Sequence, residues 1–162
     1  MASTITSADL KVQITETCEL NGKDQGGTYT QTISGINETV KRIVTVSTTE
    51  MGLIGMGTAI STDLGLSHVA GVFDEDDVRY MRITNLDDEN FIELIFRDED
   101  STEFAIKLDA GYSFLYSAGS AGVVDTMHAA ASAITVDLND LVDITGKANS
   151  ANCDVEVFVA SV

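Results

Sequence analysis

At 162 residues with 44% hydrophobic content, the chain is the size of one ordinary domain, with enough apolar surface to bury a real core and no room for a second. Nine Lys and Arg against 26 Asp and Glu give a net charge of -17, which repels phosphate backbones and anionic headgroups and so argues against nucleic-acid and membrane partners. Two cysteines, Cys18 and Cys153, do not make a disulfide framework.

In chain order, Met1 to Thr6 is polar and is followed by no basic-then-apolar leader, so the expected site of synthesis is a cytoplasm. From there the dominant signal is period-2 alternation in short runs of Val, Ile, Thr, Phe and Tyr, the pattern of half-buried strands. Leu10, Val12 and Ile14 alternate with polar residues, Leu20-Asn21-Gly22 reads as a turn, and Tyr29, Gln31 and Ile33 open a second run. Residues 9 to 34 are therefore expected to form two antiparallel strands joined by a glycine-rich loop. Residues 1–20 are either an edge strand of the chain's own sheet or an extended arm that adds to another subunit.

Val40, Arg42, Val44 and Val46 predict a third strand, and Met51 to Met56 a glycine-softened fourth. Val78 to Asn85, Phe91 to Arg97, Thr102 to Leu108 and Tyr112 to Tyr116 follow with short, turn-like links, which predicts a meander of hairpins. Val142 to Asn149 and Val155 to Val159 predict a terminal hairpin. The Gly, Ala, Ser and Asp-rich stretches 63–77 and 118–140 resist a strand reading; the first is expected to be a loop, and in the second Asp125 can cap a short helical turn through Ala133. Eight to ten short strands without βαβ alternation predict an all-β fold, a single antiparallel β-sandwich or jelly roll over residues 1–162. The chain contains no Pro, so sheet edges must be shielded by charge or by neighbouring subunits.

Motifs for catalysis are missing. His68 and His128 stand beside no nucleophile and no metal-ligand spacing, and Gly52, Gly55 and Gly57 form no phosphate loop. The expectation is no enzyme, no catalytic residue and no cofactor. The acidic runs Asp74-Glu75-Asp76-Asp77, Asp87-Asp88-Glu89 and Asp98-Glu99-Asp100 lie in predicted loops; solvated turn acids are the expected reading and a Ca²⁺ site the lesser one, since EF-hand spacing is missing. With no Trp, paired carboxylates for glycoside hydrolysis lack a sugar platform. What remains is surface. Phe158 falls on the face opposite Val155, Val157 and Val159, beside Asp154 and Glu156, so its ring is expected to point outward toward a partner. Leu10, Val12, Ile14 and Phe158 are the interface candidates.

Five segments, Met1 to Gly22, Ile36 to Val46, Val78 to Asp88, Phe104 to Phe114 and Ala151 to Phe158, resemble short virion structural proteins of marine tailed phages. Stretches 57–72 and 118–137 carry no part of the resemblance. It implies a capsid decoration or cement protein that binds the major capsid protein or other virion proteins, is a homo-oligomer, and resides in the virion after assembly in the host cytoplasm. A tail, neck or fibre component is the alternative within virions. A carbohydrate- or calcium-binding β-sandwich module is the alternative outside them, with a glycosidase behind it.

Overall fold

The computed structural model describes residues 5–56, 72–74, 76–98, 103–117, 123–124 and 139–162. Among them the chain is all strand and turn. Two antiparallel sheets pack face to face as a sandwich, and a separate two-stranded ribbon lies outside it.

The ribbon pairs β1 (Ala8–Glu16) with β4 (Gly27–Ile36); the two-residue strands β2 (Glu19–Leu20) and β3 (Lys23–Asp24) extend it to the tip. At the tip Asn21 (φ 53°) and Gly22 (φ 73°) adopt the left-handed conformations of a type I′ turn, which is why Asn-Gly stands there. The first sandwich sheet runs β11 (Ser113–Ser117), β8 (Val78–Asn85), β14 (Cys153–Ser161), β5 (Glu38–Val46). The second runs β10 (Glu103–Leu108), β9 (Ile92–Asp98), β13 (Asn139–Ala148), β6 (Met51–Met56), β7 (Val72–Phe73), with β12 (Val123–Val124) also paired to β13.

The predicted hairpin at 9–34, the strand at 40–46 and the strand at 51–56 are present as β1–β4, β5 and β6. The meander is not. β8 and β9 lie in different sheets, as do β10 and β11, and only β9 and β10 form a hairpin. The terminal hairpin fails in the same way: β13 and β14 occupy opposite sheets. Period-2 alternation says which side chains face inward, and a face-to-face partner satisfies that demand as well as a side-by-side one. The crossings after β5, β8, β10 and β13 gather at one end of the sandwich, because their terminal residues are neighbours in register: Val46 with Cys153, Asn85 with Val155, and Ile92 with both Leu108 and Ala148; the crossing from β7 to β8 lies at the other, where Val78 is beside Ser161. The ribbon leaves from the other end.

Met81, Ile83, Val155, Val157 and Val159 of the first sheet meet Leu53, Ile92, Leu94, Phe96 and Ile144 of the second in one buried core. Phe96 stacks on Phe104 at 4.7 Å between ring centroids and tilts against Phe114 at 5.0 Å, so aromatics tie the β10 and β11 edges together across the sandwich. At Gly146 an added Cβ would come within 2.9 Å of Leu53 Cδ1, a close approach that only glycine permits. Asp125 to Ala133, and most of 63–77 and 118–140, lie outside the described residues; Leu141 and Val142, whose spacing is also helical, belong to strand β13.

Candidate functional site

The ribbon is covalently continuous with β5 but shares no ladder with either sheet. It starts at the β5 edge, where the Asn37 amide donates to the Ser161 carbonyl at 3.0 Å, and it reaches the opposite edge, where Ser117 Oγ donates to Gln31 Oε1 at 2.8 Å. It thus crosses the outer face of the first sheet. A bulge opposite Asp9, with Gly35 at φ 85°, sets the departure angle.

Alternation places Leu10, Val12 and Ile14 of β1 on one ribbon face with Ile33, Gln31 and Tyr29, their cross-strand partners in β4. The half nearest the body is covered: Ile33 and Ile36 cluster with Tyr80 and Ala160, and Leu10, Val12, Phe158 and Val162 pack against them. Tyr80 and Phe158 meet edge to face at 5.9 Å. Phe158 does sit on the outer face of its sheet, and the first apolar surface it meets is the chain's own ribbon. Leu10, Val12 and Phe158 are therefore brought together within one subunit. Ile14 does not join that cluster but lines one groove with all three, still 41% exposed, beside Tyr29 at 62%, and Leu20 at the tip is 61% exposed. From Gln13 outward both ribbon faces meet solvent, apart from the tight turn-in at Gly26.

Between β1 and the outer face of the first sheet runs a groove of about 520 Å³, with Leu10, Val12, Ile14, Tyr80, Leu115 and Phe158 as its apolar lining. Its polar lining is cationic: Lys11, Lys41 and Arg82. Lys41 and Arg82 are the two cross-strand neighbours of Phe158, on β5 and β8, so the ring lies in a row between two cations. Two positions along β14, Glu156 binds both, Lys41 Nζ at 3.0 Å and Arg82 Nη2 directly. Hydrogen bonds from Arg82 first, then Lys41, hold the Glu156 carboxyl below its ordinary range. The sequence reading missed this row. Its signal was present: Lys41, Arg82 and Glu156 are the polar partners in three alternating runs, but nothing in one dimension says those runs are adjacent.

Two other polar centres are structural. On the outer face of the second sheet, buried Arg97 donates from Nη1 to both carboxylate oxygens of buried Asp143 at 2.7 and 2.9 Å and through Nε to Glu103 at 2.6 Å. Glu50, 3.4 Å from Arg97, accepts from Thr145 at 2.7 Å. Burial pulls the Arg97 guanidinium down, but the Glu103 and Asp143 contacts outweigh it and raise it above the usual value. At the crossing end, fully buried Asn85 donates to the Asn90 and Leu108 carbonyls at 2.8 and 3.2 Å and accepts from the Asp87 amide at 3.1 Å.

Of the acidic runs, Asp74 accepts from the Asp76 amide and Asp87 from the Glu89 and Asn90 amides, the work of turn-capping side chains. Asp98 is buried at the end of β9, and 99–100 lie outside the described residues, as do His68 and His128. Among the described residues no three His, Cys, Asp or Glu side chains are grouped to hold a metal ion. Cys153 is buried, which with the charges of Asp87 and Asp154 pushes its thiol up; Cys18 is exposed in the ribbon. Comparison with protein-family models, with curated proteins and with solved structures found no match for the chain.

Proposed function

We propose that the chain is a non-catalytic virion structural protein, a decoration or cement protein that stabilises a phage head through protein-protein contacts, and that the ribbon is the element with which it grips a neighbouring subunit. The observation that carries this reading is the overhang: past the half of the ribbon that seats Leu10 and Val12 on the body, Ile14 is only part-covered and Tyr29 and Leu20 stand exposed among the described residues. An isolated two-stranded hairpin is marginal in water, so such an element gains stability when a partner covers it. The phage-head setting comes from the resemblance of the five sequence segments, and a net charge of -17 suits a protein carried on an outer, solvent-facing surface.

Purified protein mixed with expanded phage heads, and separately with tails, tests the reading by co-sedimentation. Saturable binding to heads, reduced when Ile14→Ser and Tyr29→Ser are combined, is the expected result. Binding to tails alone moves the protein to the tail, neck or fibre, and binding to neither removes the virion reading.

A further inference from the structure

The overhanging ribbon and the groove under its base are opposite in charge and alike in apolar character. Resting on the reading that the ribbon grips a neighbouring subunit, we infer that this subunit is a second copy of the chain: the distal ribbon of one copy seats on the outer face of the first sheet of another, in the groove beside β1.

Charge selects the occupant. The chain has only nine cationic side chains, and three of them, Lys11, Lys41 and Arg82, line this groove against one carboxylate, Glu156. The groove is thus locally cationic on a strongly anionic molecule. The distal ribbon carries Glu16, Glu19 and Asp24 against Lys23 and is locally anionic. Two copies repel as wholes, and this is a pairing of surfaces that reverses the sign.

The apolar parts match as well. Tyr29 on the ribbon face and Leu20 at the tip are 62% and 61% exposed among the described residues. The receiving face offers Leu115 and Ile43, 47% and 61% exposed, beside the half-buried Phe158 ring. Reach is sufficient. From Ile14 to Asn21 the ribbon extends roughly 25 Å, whereas four strands span about 15 Å across. The base of β1 walls the groove, whereas Glu16, Glu19, Leu20, Asp24 and Tyr29 lie outside its lining, so the contact closes either reciprocally between two copies or head to tail around a ring.

Sedimentation velocity on the full chain at micromolar concentration, with no phage head present, tests this directly. The wild-type protein is expected to self-associate. Leu20→Ser with Tyr29→Ser, in the ribbon, and Lys11→Glu with Lys41→Glu, in the groove, should each weaken that association about tenfold or more. An equimolar mixture of the two variants should form a heterodimer, because one intact ribbon and one intact groove remain. Adding Glu16→Lys and Glu19→Lys to the groove variant should restore self-association by reversing both partners. Should the groove variant fail to fold, the ribbon variant, altered only at exposed positions, decides alone. A wild-type monomer that still binds heads overturns the inference and leaves the decoration reading standing. Self-association that ignores both variants also overturns it. Self-association through these residues with no binding to any virion part upholds the inference and removes the decoration reading.

Discussion

Buried and bridging polar residues set what single substitutions do. Asn85→Leu keeps the volume but strips the Asn90 and Leu108 carbonyls and the Asp87 amide of their partner, and each orphaned group costs about 1–3 kcal/mol. The expected loss is therefore about 3 kcal/mol or more, read as a lower denaturant midpoint at unchanged slope. Arg97→Met leaves the buried Asp143 carboxylate without its guanidinium and should cost about 3–5 kcal/mol. Adding Asp143→Leu should recover most of that loss in the same melt, since an apolar pair replaces a charged one without desolvating ions. Glu156 and Asp87 fix the acid side. Both carboxyls are held below their ordinary values of 4.5 and 3.8, Glu156 by Arg82 and Lys41, Asp87 by the Asn90 and Glu89 amides. A depressed folded value contributes stability above the unfolded value, and that contribution disappears as pH falls through the folded one. The melting temperature should thus decline below about pH 4.5, and Glu156→Gln should flatten the upper part of that decline.

The ribbon is an element whose stability is separable from the sandwich. Among the described residues its distal half is exposed apart from Gly26 and shares no ladder with the sheets, so replacing residues 13–30 by a two-residue turn should leave the melting temperature within about 2 °C of the full chain. Removing residues 1–20 is a different cut. It deprives β4 of its partner and uncovers Tyr80, Phe158 and Ala160, so the truncated protein should still unfold cooperatively, at a lower temperature and with greater dye-accessible apolar surface. Collapse of the melt on removing residues 13–30 would show the ribbon to be part of the folding unit. Limited tryptic digestion gives an independent check, with the first cut expected at Lys23 in the exposed tip.

For the whole molecule, four inter-sheet crossings gather at one end, and the ribbon leaves from the other, where β7 crosses to β8. Burial is concentrated between the sheets, and the described chain has no helix, so circular dichroism should be β-dominated. A helix content near the globular average of roughly a third would contradict it. Contacts distant in sequence, such as β5 with β14, predict slow folding for the size.

Strands were legible because alternation is a local property. Leu10-Val12-Ile14, the Asn21-Gly22 turn, Val40 to Val46 and Val78 to Asn85 each contain, within a few residues, the pleat that buries one face or the φ that only Asn and Gly take easily. Phe158 was legible as an outward residue by the same logic. Pairing was not legible. The links after Asn85, Leu108 and Ala148 look like hairpin turns and serve as sandwich corners, because a short link fixes only how far apart two strand ends lie, and both neighbours satisfy it. The cationic row of Lys41 and Arg82 around Phe158 depends wholly on that choice. Its three strands are far apart in the chain, and only the order β8-β14-β5 makes them neighbours. The sequence determined which side chains turn away from the core, since that follows from period 2. Tertiary structure decided which of them meet, since that depends on the long-range closure of strands whose local patterns are alike.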